Sequence, residues 1–178
     1  MPSHTLTKLQ RMSVITLRDF VESDAKQLVA ILNDMDVTQY LSTKIPSPYS
    51  YEDAQWWINE GSQSQLIKAV IFNDKLIGCV SVHPGEFEFD RSGELGYWLA
   101  KEYWRQGITV KAASMLLETV FSKTKIARVF AYVCEDNPAS MKVLQRLGFE
   151  QDAVLKNAMF KKGHLFNAHL FSLLKPKN

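Results

Sequence analysis

A turn between a short apolar strand and a long amphipathic helix carries the residues that most clearly suggest chemistry. The strand covers residues 94–99, and the turn at residues 103–109 reads YWRQGIT. A glycine in such a turn lets the backbone approach a ligand closely, and the first amides of the helix point outward without intrahelical acceptors. The helix dipole, Arg105 and Lys111 add positive charge nearby. The pattern therefore predicts an anion site, with an ordinary strand-to-helix connection as the alternative.

The glycine spacing argues against two common nucleotide-binding motifs. The sequence has no Gly-Lys-Ser or Gly-Lys-Thr, and no three-glycine run follows a strand, so nucleotide hydrolases and nicotinamide-dependent enzymes are disfavoured. No metal-ligand spacing and no cysteine or carboxylate cluster accompanies the four histidines, which are His4, His83, His164 and His169. We therefore expect no metal.

Length and charge predict a single domain without a nucleic-acid surface. The chain has 178 residues, 46% of them hydrophobic, which is enough to bury a substantial core. We assign residues 1–12 to a flexible leader and residues 13–178 to the domain. Because 21 Lys and Arg residues face 19 Asp and Glu, the net charge of +2 is too weak and too evenly spread to indicate nucleic-acid binding.

The cysteines and the N-terminus indicate the compartment. Cys79 and Cys134 lie within apolar, strand-like runs, a setting typical of buried, reduced thiols. The N-terminus lacks the apolar stretch of a signal peptide, and no segment is long enough to span a bilayer. We therefore expect a cytoplasmic protein that binds no membrane.

The hydrophobic pattern predicts an α/β protein with a mixed sheet. Its elements follow the order β-α-α-β-β-β-α-β-α-β-β, and the helices after residues 93–99 and 126–133 build the parallel crossover. Ser50 caps the second helix, and Asn137-Pro138 opens the last one. Without a basic groove for nucleic acid, core and pocket walls are the preferred interpretation of six aromatic residues, Trp56, Trp57, Tyr97, Trp98, Tyr103 and Trp104.

Three segments together resemble the GNAT superfamily of acetyl-CoA-dependent N-acetyltransferases, and within it the RimJ/RimL branch. They are residues 93–99 (GELGYWL), residues 103–109, and the stretch from Asn137-Pro138-Ala139-Ser140 to Leu147-Gly148-Phe149. Their order and spacing carry the resemblance, which extends over nearly the whole chain. It implies a GNAT-like fold, acetyl-CoA as cosubstrate, and acetylation of protein N-terminal amines or small-molecule amines.

The resemblance assigns coenzyme A to the predicted anion site. The amides around residues 106–109 would hold its pyrophosphate, and the pantetheine arm would lie beside residues 95–99 as an added strand. Position 109 is usually glycine or alanine in the family, so the threonine here must point away or turn its hydroxyl to a phosphate. The cofactor-binding residues implied are Tyr97, Trp98, Leu99, Arg105, Gln106, Gly107, Ile108, Thr109, Asn137 and Ser140.

Acetyl transfer also needs a base, an oxyanion donor and an acid. Glu94 matches a glutamate that often acts as the base in similar enzymes, although an exposed strand-edge carboxylate is the alternative. A backbone amide near residues 97–99 would bind the oxyanion. Many family members have a tyrosine that acts as the acid, and Leu144 occupies the matching position here. Ser140 matches a serine that some RimL-like enzymes offer instead, unless its hydroxyl serves the first helical turn.

These assignments predict direct attack of a primary amine on acetyl-CoA through a tetrahedral intermediate. No covalent enzyme intermediate is expected, because neither cysteine lies in a site motif. Thr109 and the missing tyrosine motivate one alternative, a non-catalytic acyl-CoA-binding sensor or interaction module. The expected partners are acetyl-CoA and an amine acceptor, with no nucleic acid, and the expected assembly is a monomer or a homodimer.

Overall fold

A seven-stranded sheet runs through the part of the chain that the structure describes. This computed structural model describes residues 14–177, so the leader predicted at residues 1–12 lies outside the described residues. The strands are β1 Ile15–Arg18, β2 Ile67–Phe72, β3 Lys75–Pro84, β4 Ser92–Leu99, β5 Arg128–Cys134, β6 Glu150–Lys161 and β7 His164–Leu174. Their order is β1-β2-β3-β4-β5-β7-β6, and β4 and β5 are parallel while the other neighbours are antiparallel. The predicted α/β fold with a mixed sheet is confirmed.

Helices cover both faces of this sheet. They are α1 Ala25–Leu32, α2 Met35–Thr38, α3 Tyr51–Trp56, α4 Ile108–Lys123 and α5 Pro138–Arg146, and α3 continues into a π-helical turn, Trp57–Gly61. The sequence predicts two helices between β1 and β2, whereas the described residues form three. The extra helix, α2, is a single turn. Asp34 separates it from α1 by adopting an extended backbone and accepting a hydrogen bond from Asp36 N at 2.9 Å.

Two predicted helix starts are confirmed. Ser50 Oγ accepts a hydrogen bond from Asp53 N at 3.1 Å at the start of α3. Asn137 Oδ1 accepts one from Ser140 N, also at 3.1 Å, at the start of α5. Each bond satisfies an amide that has no intrahelical acceptor.

The two faces of the sheet hold separate parts of the core. On one face α4 and α5 pack around Leu116, and on the other α1 and α3 pack around Leu28. Burial of each such leucine stabilises the fold by about 1.5–3 kcal/mol. Successive side chains of β4 alternate between the faces, so Leu95 and Tyr97 pack toward α4 whereas Trp98 packs toward α1 and α3. Tyr97 and Trp98 therefore serve different faces.

β4 and β5 separate after a short stretch of parallel pairing. Residues 92–94 pair with residues 128–130, yet β4 continues to Leu99 and β5 to Cys134. β5 remains paired with β7 along its full length. Beyond Glu94, the edge of β4 that faces β5 is therefore open to an added extended chain.

The two cysteines differ in burial, and the expectation of two buried thiols is wrong for Cys134. Cys79 is buried, and burial raises the pKa of its thiol to about 12. Cys134, the last residue of β5, is half-buried. Across residues 14–177, no helix is both long and apolar enough to cross a membrane.

Candidate active site

The predicted anion turn has a backbone shaped for a ligand. Arg105 and Gly107 both adopt left-handed conformations, with φ of 60° and 75°. Such a conformation is costly for a residue other than glycine, and strained residues of this kind cluster at ligand sites. Gly107 is the N-cap of α4, and no side chain of the described residues caps that helix. The amides of residues 108–110 thus lack intrahelical acceptors and face outward.

Two side-chain hydrogen bonds fix the entry to this turn. The Trp104 indole Nε1 donates to the Leu99 carbonyl oxygen at 2.7 Å, which ties the turn to the end of β4. Gln106 Nε2 donates to the Glu102 carbonyl oxygen at 3.0 Å. The Gln106 side chain therefore shapes the turn, and the backbone N–H of Gln106 remains available to a ligand. The sequence assigns no such role to Trp104, because its partner depends on the local fold.

Arg146 is a cationic residue of the site that the sequence analysis missed. A Cβ built on Gly107 would lie 3.9 Å from Arg146 Nη2, so the guanidinium is adjacent to the turn. Arg146 lies in the last turn of α5, just before Leu147-Gly148-Phe149. The sequence pointed to Arg146 only through its place in the third matching segment. The packing of α5 beside α4, which brings Arg146 to the turn, could not be predicted from the sequence. Together with Arg105 it increases the positive charge around the exposed amides.

Tyr97 and Ser140 meet across the space that opens between β4 and α5. The Tyr97 hydroxyl lies 2.7 Å from Ser140 Oγ and 3.3 Å from the Ser140 carbonyl oxygen. Burial raises the pKa of Tyr97 to about 12, so the phenol stays protonated at neutral pH. The Ser140 amide is held by Asn137 Oδ1. The Asn137 amide nitrogen remains the donor that this side chain can offer to a ligand.

Glu94 lies on the opposite side of β4 from this pair. It is exposed, and it pairs in register with His83 of β3 and Phe130 of β5 at the last position before the strands separate. By the alternation along β4, Glu94, Gly96 and Trp98 share the face that carries α1 and α3. The structure therefore brings Tyr97, Ser140 and Asn137 together and sets Glu94 across the sheet from them.

The other predicted residues divide between main-chain and side-chain roles. Leu99 and Ile108 are buried, so only their backbone can meet a ligand, and Thr109 is half-buried. The Trp98 side chain points away from Tyr97, and its carbonyl oxygen faces β3, 2.5 Å from a Cβ built on Gly78. Leu144 is fully buried in the core, so the position of the family's tyrosine supplies no acid here.

Comparisons with known proteins identify the family and the fold of this chain. The sequence profile of the acetyltransferase (GNAT) domain matches residues 15–150. The uncharacterized N-acetyltransferase p20 of Bacillus licheniformis is 30% identical, over 90% of this chain and 93% of its own. The ribosomal-protein-serine acetyltransferase of Escherichia coli is 30% identical over 56% of this chain and 55% of its own. The RimL ribosomal L7/L12 α-N-protein acetyltransferase, solved with coenzyme A, has a TM-score of 0.78 at 20% identity, covering 90% of this chain and 93% of that one.

The chain therefore belongs to the GNAT acetyltransferase family. It is an acetyl-CoA-dependent N-acetyltransferase, and its relatives agree with the RimJ/RimL-like branch predicted from the sequence. The site suits coenzyme A on physical grounds. Outward amides, the left-handed Gly107 and the nearby Arg146 fit a diphosphate, and the open edge of β4 fits an extended pantetheine arm.

Proposed function

We propose that this enzyme acetylates a primary amine by direct attack on acetyl-CoA through a tetrahedral intermediate, with Glu94 and Ser140 in opposite proton-transfer roles. One observation carries the proposal. Glu94 and the Tyr97–Ser140 pair lie on opposite faces of β4, where that strand separates from β5. An amine can therefore approach from one face while the sulfur departs toward the other.

Backbone groups of the protein hold the cosubstrate in this proposal. Amides of residues 106–109 donate to the diphosphate, and Arg105 and Arg146 add charge beside it. The open β4 edge at residues 95–99 pairs with the pantetheine arm, and the Asn137 amide nitrogen reaches it from α5. Positioning of this kind supplies a large part of the rate, because the thioester is presented in one orientation.

Glu94 accepts the proton of the attacking amine, directly or through water. Amine acceptors are mostly protonated at neutral pH, since the pKa is about 8 for a protein N-terminus and about 10.4 for an alkyl ammonium. The exposed carboxylate on the α1 and α3 face can remove that proton as the carbon–nitrogen bond forms. A β4 backbone amide at residues 97–99 donates to the oxyanion that develops on the acetyl group.

Ser140 passes a proton to the sulfur as the carbon–sulfur bond breaks, and its own proton is replaced from solvent through the Tyr97 hydroxyl. In the proposed step the Tyr97 proton points to Ser140 Oγ, 2.7 Å away, and not to the Ser140 carbonyl oxygen at 3.3 Å, which leaves the serine proton free to point at the thiolate. Because a thiol has a pKa of about 8.5, the thiolate is a tolerable leaving group and this assistance is modest. Tyr97 thus replaces part of what the family's tyrosine does, from a different strand position.

The transfer needs no covalent enzyme intermediate. Cys79 is buried with a raised pKa, which removes it as a nucleophile. Cys134 is half-buried at the end of β5, and its hydrogen bond toward the site is made by its carbonyl oxygen, which accepts from Asn137 N at 2.9 Å. Initial rates measured at varied acetyl-CoA and amine concentrations are expected to give intersecting double-reciprocal plots, whereas parallel plots would point to acetylation of the enzyme.

Release of free thiol in the presence of amines tests the function. We propose a protein N-terminal amine or a small primary amine as acceptor, in keeping with the RimJ/RimL-like relatives. The full chain should release thiol from acetyl-CoA with at least one member of a panel of peptides and small amines. Tight coenzyme A binding without thiol release across the panel would favour the non-catalytic acyl-CoA sensor instead.

A further inference from the structure

An aromatic pocket lies on the face of the sheet that carries α1 and α3, from which the amine is proposed to approach. The chemistry described above does not use this pocket. It has a volume of about 160 Å³ and is lined chiefly by Leu32, Ile45, Tyr49, Trp56, Trp57 and Trp98. A cavity of about 150 Å³ with apolar walls is large enough to bind benzene. The pocket is therefore sized for one six-membered ring.

An unusual helical turn builds one wall of this aromatic pocket. Residues 57–61 form a π-helical turn, in which Ser62 N donates to the Trp57 carbonyl oxygen at 2.8 Å. Such turns are rare and are frequent at functional sites. A Cβ built on Gly61 would lie 2.7 Å from Trp57 Cε3 and 2.8 Å from Trp56 Cζ3, so glycine is needed for both indoles to pack here. Trp57 also makes an edge contact with Phe20, at 5.8 Å between ring centroids.

Asp53 and Tyr49, two polar residues of the aromatic pocket, are bonded to the protein itself, whereas the buried Trp57 Nε1 has no hydrogen-bond partner among the described residues. Asp53 Oδ2 accepts hydrogen bonds from Ser50 N at 2.8 Å and Ser50 Oγ at 2.7 Å. The Tyr49 hydroxyl donates to the Asp53 carbonyl oxygen at 3.3 Å, and the Tyr49 backbone is clamped by Asn33 at 2.8 and 2.9 Å. Lys44 contributes the remaining charge at the exposed side. An apolar group therefore suits this interior better than a charged one.

Trp98 lines the aromatic pocket on the same face of β4 as the proposed base, Glu94. The two residues are four positions apart, a separation of about 13 Å along a strand. One acceptor molecule can therefore place an apolar group against Trp98 and its amine nitrogen between Glu94 and the aromatic pocket.

We propose that the aromatic pocket selects acceptors that carry a benzene-sized apolar group a few bonds from the primary amine. This inference rests on the proposed function and names its substrate class. An arylalkylamine or a peptide with an aromatic N-terminal residue presents the same chemistry. Unbranched short amines leave the aromatic pocket empty and lose the binding that it provides.

Paired acceptors test this selectivity. We expect kcat/KM to be at least about tenfold higher for 4-phenylbutylamine than for n-butylamine, which lacks only the ring. Phe-Gly-Gly compared with Ala-Gly-Gly makes the same test for a peptide source, and the pair with the larger ratio identifies that source. If the two members of each pair give the same kcat/KM for thiol release, the inference is overturned, although the proposed acetyl transfer still stands. No release with any amine would instead contradict the proposed function.

Substitutions in one loop locate the effect. Ile45→Trp fills the aromatic pocket and should bring the phenylbutylamine to butylamine ratio close to one, whereas Thr43→Trp, at an exposed position of the same loop, should leave it unchanged. If Ile45→Trp does not fold, Trp56→Ala opens the exposed wall and should also reduce the ratio. Tryptophan fluorescence titrated with 4-phenylbutylamine gives a readout apart from turnover. A saturable change that Ile45→Trp removes supports the assignment, and a change that this variant retains contradicts it.

Discussion

The Tyr97 hydroxyl lies 2.7 Å from Ser140 Oγ, which joins β4 to the first turn of α5 across the gap that opens beside β5. The two residues are 43 positions apart in the chain. Ser140 is held at its amide by Asn137, and Tyr97 holds its hydroxyl. In the proposed mechanism this pair supplies the proton donor, a role that the buried Leu144 side chain has no proton to fill.

Removal of either hydroxyl should reduce turnover through the same hydrogen bond. We expect Ser140→Ala to lower kcat about tenfold and Tyr97→Phe about threefold, with little change in coenzyme A affinity, since one hydrogen bond contributes about 0.5–1.5 kcal/mol. The double variant should resemble Ser140→Ala, because Tyr97 acts through the serine. Steady-state thiol release measures all three. Effects that multiply in the double variant would show that the two hydroxyls act independently.

Glu94→Gln should lower turnover most strongly at low pH. Without the base, reaction depends on amine that is already deprotonated, so kcat/KM should fall about a hundredfold near pH 7 and approach wild type as pH nears the acceptor's own pKa. Coenzyme A binding should be unchanged. Glu118→Gln, an exposed carboxylate on α4, is the matched control. A pH–rate profile that Glu94→Gln leaves unaltered would remove this residue from the mechanism.

Two glycines with the same backbone conformation separate strain from binding. Gly107 has φ of 75° and Gly163 has φ of 79°, and a Cβ on Gly163 would meet nothing within 4 Å. Alanine at either position should cost about 1 kcal/mol of unfolding free energy. Calorimetry should find coenzyme A binding weakened about tenfold in Gly107→Ala alone. Equal affinity in the two variants would contradict the assignment of this turn.

Arg146→Gln should weaken coenzyme A binding in a salt-dependent way. The guanidinium lies beside Gly107, so its loss should raise Kd about threefold to tenfold at low ionic strength and less at high salt, where charges are screened. Arg91→Gln serves as the control, because Arg91 is an exposed arginine beside Asp90 at 3.8 Å. A Kd that does not respond to salt in wild type would argue against a charge contact here.

Tyr97 should also make stability depend on alkaline pH. Burial raises the pKa of Tyr97 from 10.0 to about 12 in the folded protein. The folded state therefore holds this proton more tightly than the unfolded state, and the contribution is complete below pH 10 and lost between about pH 10 and 12, by up to about 2–3 kcal/mol. Burial also raises the pKa of the Cys79 thiol, so Cys79 lowers stability at alkaline pH too. This contribution is the same in wild type and in Tyr97→Phe and cancels in the comparison. Urea unfolding at pH 8 and pH 11 should show a smaller loss for Tyr97→Phe. An equal loss in both proteins would contradict the burial of a neutral phenol.

The sequence predicted those features that depend on local chemistry. The start of α5 follows from Asn137-Pro138, and the turn before α4 follows from a glycine between a strand and a helix. Both are determined within a few residues, so turn and capping preferences suffice to read them. The coarse order of strands follows from hydrophobic periodicity for the same reason.

Features that depend on packing between distant segments were not predicted. Alternation shows that Tyr97 and Trp98 face opposite ways, but only the packing of α4 against one face decides which of them meets Ser140. Arg146 reaches the turn because α5 docks beside α4, and no local pattern specifies that approach. The aromatic pocket likewise assembles from α1, α3, their connecting loop and β4.

A crystal structure of the complex with coenzyme A is the sharpest test of where the cosubstrate binds. We expect diphosphate oxygens within hydrogen-bond distance of the amides of residues 106–109, the pantetheine arm between β4 and β5, and the sulfur beside Ser140 Oγ. A diphosphate bound away from this turn, or a sulfur on the face that carries Trp98, would contradict this placement.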